Sequence, residues 1–134
     1  MIRLYNVSKL YPGDVAALKN VSLEIGRGEF VFITGPSGAG KTSLLRLLLR
    51  QELPSEGQIL VNGRNVGALP ASKVPGLRRS IGVVFQDFKL IPRKTALDNV
   101  AYVLNVAGLS RGEQRRRAYN ALRSVGLNHR LGTL

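Results

Sequence analysis

The sequence predicts a mixed α/β fold in which strands come first and paired helices come last. Three observations carry that expectation. Short segments of alternating apolar residues fill the start of the chain. A continuous β-branched and aromatic run, Phe30-Val31-Phe32-Ile33-Thr34, follows them. From Thr95 onward apolar residues recur instead with the spacing of a helix face. At 134 residues the chain is large enough to bury a core without disulfides or metals, and 44% hydrophobic with 21% charged residues is ordinary for a globular protein.

The elements are expected in the following order. Ile2–Ser8 and Val21–Ile25 alternate apolar and polar residues, as half-buried strands do. Tyr11-Pro12-Gly13-Asp14 and Gly26-Arg27-Gly28 read as the turns after them. Phe30–Thr34 has the composition of a strand buried on both faces. A Leu-rich helix then runs from about Gly40 to Arg50 and stops before Pro54. Ile59-Leu60-Val61 enters a tight turn at Asn62-Gly63, and Ile81-Gly82-Val83-Val84-Phe85 is a second candidate for a buried strand. Leu97, Val100, Ala101 and Leu104 fall at i, i+3, i+4 and i+7 of a helix that Gly108 ends. A last helix spans about Arg111 to Val125, with Ala118, Leu122 and Val125 on one face and Gly126 as its stop.

Composition excludes several kinds of chemistry. There is no cysteine, hence no disulfide, thiolate metal site or cysteine nucleophile, which is compatible with a reducing cytoplasm. The first residues lack the apolar stretch of a signal peptide. The greasiest run, Leu44 to Leu49, is interrupted by Arg46 and is too short to span a bilayer, so any membrane association of these residues is peripheral. Twenty basic and eight acidic residues give a net charge of +12. A nucleic acid, an anionic membrane surface or a phosphate-rich ligand would each account for it. The basic residues are spread along the chain, with small clusters at Arg78-Arg79 and Arg115-Arg116-Arg117. No RNA-type aromatic motif or zinc finger accompanies them, so no specific nucleic acid is expected.

The pattern Gly-x4-Gly-Lys-Thr occurs once, as Gly35-Pro36-Ser37-Gly38-Ala39-Gly40-Lys41-Thr42. With glycine at about 7% of average sequence, such a match arises by chance in roughly one chain of this length in a hundred or more. It also sits between an apolar run of strand character and an apolar helix, the context that a nucleotide-binding P-loop requires. Gly35, Gly38 and Gly40 allow the backbone to turn its N–H groups toward one anion, and the helix opening near Gly40 adds its positive end. Lys41 then reaches the β- and γ-phosphates and the Thr42 hydroxyl meets Mg²⁺. The expected ligand is a nucleoside triphosphate with magnesium. The alternative is a structural glycine-rich turn that merely precedes Lys-Thr.

Beyond this loop the sequence resembles the ATP-binding subunits of ATP-binding cassette (ABC) transporters over essentially its whole length. Tyr11 lies 24 positions before Gly35, where the family has an aromatic residue that stacks on adenine; alone, it would equally be a ring packed beside Pro12. Gln86 lies 45 positions after Lys41 in the string Val83-Val84-Phe85-Gln86-Asp87-Phe88. The resemblance implies that its amide contacts Mg²⁺ or the attacking water, since it both donates and accepts; the bland reading is a surface amide. Val74–Gly82 before that glutamine and Thr95–Ala101 after it look most like the cell-division branch of the family, whose subunits work with a membrane protein. Branches for lipoprotein release and for macrolide or amino-acid transport are close to it.

The resemblance implies an α/β P-loop NTPase core of ABC type with an antiparallel β element and part of a helical subdomain. Residues 1–88 would form the nucleotide-binding core and 89–134 the start of the helical subdomain, and the region from Gln86 through the two helices resembles the part that docks on the membrane protein. It also implies ATP and Mg²⁺ as ligands, a second ATP-binding subunit as partner, and a peripheral place on the cytoplasmic face of the inner membrane. Two rivals of other classes share some features: a stand-alone P-loop kinase and a basic nucleic-acid-binding module. The kinase would not need Tyr11 upstream or the Gln86 segment followed by a helical pair, and steeply salt-sensitive binding to duplex DNA would favour the module.

Leu109-Ser110-Arg111-Gly112-Glu113-Gln114 imitates the family's Leu-Ser-Gly-Gly-Gln signature. It follows Gln86 by only about two dozen positions, where the family has roughly twice that, and Arg111 replaces a small glycine. A capping box is the better reading, with Ser110 as N-cap, Glu113 at the third helical position and Arg115–Arg117 on the solvated side. The true signature, the strand ending in Asp-Glu with its catalytic glutamate, and the switch histidine are not among the 134 residues. His129 matches neither the context nor the position of that histidine and reads as an exposed helix-end residue. The expectation is therefore the N-terminal part of an ABC ATPase with its C-terminal strands missing, as a fragment or an incomplete gene product. Such a chain would bind MgATP without turning it over and would be marginally stable.

Overall fold

The computed structural model describes residues 1–133. The chain divides into two compact units, Met1–Val83 and the residues from Val84 onward, and each is described by itself.

The first unit is built on two long strands, β1 (Ile2–Tyr11) and β2 (Val15–Ile25), joined by the turn Pro12-Gly13-Asp14. They pair antiparallel from Ile2 opposite Ile25 to Tyr11 opposite Val15. β3 (Glu56–Val61) lies antiparallel on the other edge of β1, with Ile2 opposite Val61 and Leu4 opposite Ile59. The Asn62-Gly63 turn, with φ of 48° and 77°, returns the chain into the two-residue β4 (Arg64–Asn65). Both turn residues have the positive φ that a tight hairpin matching strand twist demands. The resulting sheet has the order β2-β1-β3-β4.

Irregularities in β1 aim its side chains. Its register shifts between Leu4 and Val7, and both residues face the core although they are three apart rather than two. The shift is matched on β3 by Gly57, at φ 82°, where a Cβ would collide with the carbonyls of Tyr5 and Asn6.

Helix α1 (Lys41–Leu48) packs on this sheet through Leu44 and Leu47, with Leu48 half-buried beside them. These positions fall at i, i+3 and i+4 on one helix face. Leu47, Ile59, Leu77, Val7 and Val66 are the largest fully buried side chains. Each gains about 1.5–3 kcal/mol by leaving water. Leu77 comes from the short helix α2 (Val74–Arg79). Its neighbour Arg78 donates from Nε to the Leu49 carbonyl at 2.9 Å and from Nη2 to the Arg50 carbonyl at 3.1 Å. That guanidinium satisfies carbonyls left over at the end of α1.

Three expectations are corrected in this half of the chain. Tyr11 is the last residue of β1, not part of the turn, because its pairing with Val15 extends the hairpin. Phe30–Thr34 forms no strand and is exposed, Phe30 at 84% and Phe32 at 79%. Ile81–Phe85 likewise forms no strand, and Val84 is 99% exposed. The composition of both runs suits a buried parallel strand, but such a strand exists only through ladder bonds to neighbours, and neither run pairs with any strand of this sheet. The rings of Phe30 and Phe32 meet edge to face at 4.9 Å.

The second unit holds helices α3 (Ala96–Val106) and α4 (Arg111–Ser124), which pack on each other. Thr95 caps α3, its Oγ1 accepting from the Asp98 N–H at 3.1 Å and donating to the Asp98 carboxylate at 2.8 Å. Leu97, Val100, Ala101 and Leu104 form the half-buried face, while Tyr102 and Val103 are exposed. Residues after α4 return to its partner's start, where the Ala96 and Leu97 N–H groups donate to the Thr133 and Leu131 carbonyls.

Ser110 is the N-cap of α4 as expected, accepting from the Glu113 N–H at 3.4 Å. The Glu113 carboxylate does not complete a capping box; it accepts instead from Arg116 at 2.7 Å and Arg117 at 2.6 Å. Two guanidiniums one helical turn away outcompete a single neutral N–H for a carboxylate. Ala118 and Leu122 are buried, but Val125 is 68% exposed, because the helix ends at Ser124 and the chain turns away. His129 is exposed in a turn beyond the helix, not at its end. Among the described residues, no helix is long and apolar enough to cross a membrane.

Candidate functional site

Gly35 to Gly40 lies between the exposed run Phe30–Thr34 and α1, whose first two residues are Lys41 and Thr42. Gly40 is the N-cap of that helix, with φ 87° and its carbonyl accepting from the Leu44 N–H at 2.9 Å. A side chain here would collide with the Ala17 carbonyl and crowd Leu18 on β2, so the position requires glycine for both dihedral and space. This close approach sets the loop against the sheet. Residues 35–39 are exposed, so the loop presents its backbone to a ligand from solvent.

Lys41 opens the helix and its ammonium folds back over the loop. Nζ donates to the Gly35 carbonyl at 2.7 Å and to the Pro36 carbonyl at 2.8 Å. The positive charge is thereby held beside the helix N-terminus, where backbone N–H groups already favour an anion. Thr42, the next residue of the first helical turn, is exposed. Beneath the loop, Leu18, Val21 and Leu23 of β2, Val31 and Ile33 of the exposed run and Leu44 of α1 line an apolar cleft.

Tyr11 is connected to this helix. Its hydroxyl lies 3.1 Å from Ser43 Oγ, one residue beyond Thr42, and donates to Glu52 Oε2 at 2.7 Å. Glu52 also accepts from Arg46 of α1 at 3.2 Å through Oε1, and Lys9 Nζ lies 3.5 Å from its Oε2. Lys9 stands over the Tyr11 ring, 5.1 Å from the centroid. The Tyr11 hydroxyl, with the Arg46 and Lys9 charges, holds the Glu52 carboxyl below its ordinary value. Glu52 and Ser43 were not legible as partners of Tyr11, because no fixed spacing relates the end of a strand to residues within and beyond a later helix.

Gln86 belongs to the second unit. It is exposed in a turn with Asp87, followed by Phe88 and Lys89 at φ 53° and 48° and by an ion pair between Asp87 and Lys89. Among the described residues no cluster of three or more His, Asp or Glu side chains could hold a metal by itself. Any divalent cation here would be shared with the phosphates of a ligand, the usual situation for magnesium.

A glycine-rich loop on a helix N-terminus, with an inward lysine and a following threonine, defines a phosphate-binding-loop protein. Comparison with known proteins narrows that class: residues 18–134 match the family model described as ABC transporter, and the chain belongs to that family. The cell division ATP-binding protein FtsE of Bacillus subtilis (strain 168) is 43% identical over 130 residues, covering 97% of this chain and 57% of that protein. The methionine import ATP-binding protein MetN of Thermobifida fusca (strain YX) is 44% identical over 126 residues, covering 94% of this chain and 39% of that protein. A dimeric ATP-binding cassette solved in a post-hydrolysis state with ADP and Pi superposes with a TM-score of 0.88 at 39% identity, over 98% of this chain and 60% of that one. The chain thus spans little more than half the length of these cell-division and structural relatives. Family membership sets aside the stand-alone kinase.

Proposed function

We propose that the chain is the ATP-binding part of an ABC-type subunit of the FtsE cell-division kind. Its ATP binding, with hydrolysis in the whole protein, would be coupled to a membrane partner of the FtsX type. The observation that supports this most is the loop Gly35–Thr42 seated on α1, with Lys41 over its mouth and Tyr11 tied to the same helix through Ser43. The triphosphate enters the loop, Lys41 exchanges the Gly35 and Pro36 carbonyls for phosphate oxygens, and adenine stacks on Tyr11. Mg²⁺, when bound, would neutralise phosphate charge, and the Thr42 hydroxyl is the group in this loop that would hold it. Gln86 keeps the role that the family resemblance implies, contacting the metal or the attacking water.

In this proposal residues 1–88 carry nucleotide binding and 89–134 begin the helical region that meets the membrane protein. Two subunits close face to face on ATP at the cytoplasmic face of the inner membrane. The net charge of +12 favours an anionic lipid surface there. The 134 residues alone bind MgATP and do not turn it over, as they include neither the family signature nor the strand that carries the catalytic glutamate. The likeness to a methionine import protein supports a second reading, in which the same site drives an importer.

The test is MgATP binding to the chain and to Lys41→Ala, followed by calorimetry. Loss of at least about tenfold in affinity, worth about 1.4 kcal/mol, is expected for the variant. Equal binding by both proteins, or ATP turnover that disappears in Lys41→Ala, would contradict the proposal.

A further inference from the structure

The Glu52 carboxylate is the hub of a network that no nucleotide contact requires. Its Oε2 accepts from the Tyr11 hydroxyl at 2.7 Å and lies 3.5 Å from Lys9 Nζ, while its Oε1 accepts from Arg46 at 3.2 Å. A phenol has one proton. With that proton given to Glu52, the 3.1 Å contact to Ser43 is one in which Ser43 Oγ donates to the Tyr11 oxygen. The ring is thus fixed at its hydroxyl from two sides, by a residue of α1 and by a residue just beyond it. Lys9, two positions before Tyr11 on β1, lies on the same strand side, and its ammonium covers one ring face from 5.1 Å. Its Nζ is itself held by the Leu53 carbonyl at 3.0 Å.

We propose that Glu52 is a positioning residue for nucleotide binding: it locks the Tyr11 ring to the phosphate-loop helix and so fixes the distance between the base platform and the phosphate cradle. This rests on the reading of Tyr11 as the adenine-stacking residue. A base stacks on the ring face away from Lys9. The Tyr11 side chain has two torsions, and a ring already held at its hydroxyl loses little freedom when the base arrives. The half-buried, fully engaged carboxylate, held ionised by its three donors, suits that task. Glu52 touches neither base nor phosphate in this arrangement and acts through Tyr11.

The experiment compares the affinity of the chain for MgATP with its affinity for magnesium tripolyphosphate, which has no base. Glu52→Ala and Tyr11→Phe are each expected to weaken ATP binding by about fivefold or more, the scale of one ordinary hydrogen bond, and to leave tripolyphosphate binding unchanged. Glu52→Gln, whose amide oxygen still accepts from the phenol, should recover most of the loss. The double variant Tyr11→Phe/Glu52→Ala should be no weaker than the worse single variant, because both remove one interaction. Tyr11→Leu separates the two levels of the proposal. If it weakens ATP binding while Glu52→Ala and Tyr11→Phe stay within about twofold of the parent, stacking stands and the positioning role falls. If Tyr11→Leu leaves ATP affinity unchanged, the stacking reading itself falls, and the positioning role with it. Equal loss of ATP and tripolyphosphate binding in Glu52→Ala would show a general structural role and overturn the proposal. Tyr11→Phe, which changes one atom, keeps the test decisive if Glu52→Ala destabilises the fold.

Discussion

At the scale of residues, the charged groups around Tyr11 make a prediction about acid. The Glu52 carboxyl is lowered from its ordinary value of 4.5, first by the Tyr11 hydrogen bond and then by Arg46 and Lys9. A carboxyl whose pKa is lower in the folded than in the unfolded chain contributes stability above its unfolded value, and that contribution is lost as pH falls through the folded value. The parent should therefore melt above Glu52→Gln at neutral pH. The gap should close once pH passes below 4.5 and the carboxyl protonates. Thermal unfolding of both proteins between pH 7 and pH 3 checks this, and a gap independent of pH would show that the Glu52 charge contributes nothing. Gly40 shows a different kind of residue logic. Its positive φ and its contact with β2 allow one residue type only, and the phosphate-loop pattern demands the same residue for ligand binding. Structure and chemistry there coincide, which is why the motif was readable from sequence without any knowledge of the sheet.

Helix α1 is the element on which the site depends. It carries Lys41, Thr42 and Ser43 at its start and is anchored by Leu44 and Leu47, the latter fully buried. Leu47→Ala should cost about 2–5 kcal/mol, measured by denaturant unfolding, through lost burial and the cavity left behind. A cost below about 1 kcal/mol would mean that the core collapses around the smaller side chain. The helix was legible in outline as a Leu-rich run before Pro54, α3 from apolar residues at helical spacing, and the start of α4 from the Ser110 cap. The capping box on α4 was half legible. Ser110 caps as its chemistry dictates, but the sequence also offers Glu113 two arginines, and electrostatics gave the carboxylate to them. The runs 30–34 and 81–85 were misjudged because strand composition describes what a residue tolerates, whereas a strand needs a neighbour to bond to.

At the scale of the molecule, those two runs leave apolar surface in water. Phe30 and Phe32 in the first unit and Val84 in the second are all more than three-quarters exposed. Isolated exposed hydrophobes are unremarkable, but a run of five consecutive exposed apolar or β-branched residues is a template for association. The 134-residue chain should bind an apolar dye and self-associate as concentration rises, with Phe30→Ser/Phe32→Ser reducing both. Scattering and dye fluorescence across a concentration series would show it, and a monomer that is dark to the dye would contradict it. The sheet of the first unit was largely visible in the alternation at the start of β1 and the end of β2 and in the run Ile59–Val61 before its turn. The network around Tyr11 was not, because it joins residues 9, 11, 43, 46 and 52 through the packing of a strand on a helix. The candidate site is assembled partly by motif and partly by tertiary packing, and only the former is written in local sequence.

The two carbonyl bonds of Lys41 have a kinetic meaning as well. An ammonium has three N–H donors, and two are engaged within the loop itself. The loop therefore closes on its own positive charge and keeps its curvature between one ligand and the next. An arriving phosphate does not have to organise a wandering side chain; it displaces near neighbours of a charge already in place. Part of the gross attraction is spent on that displacement, so capture should be fast and the net affinity moderate.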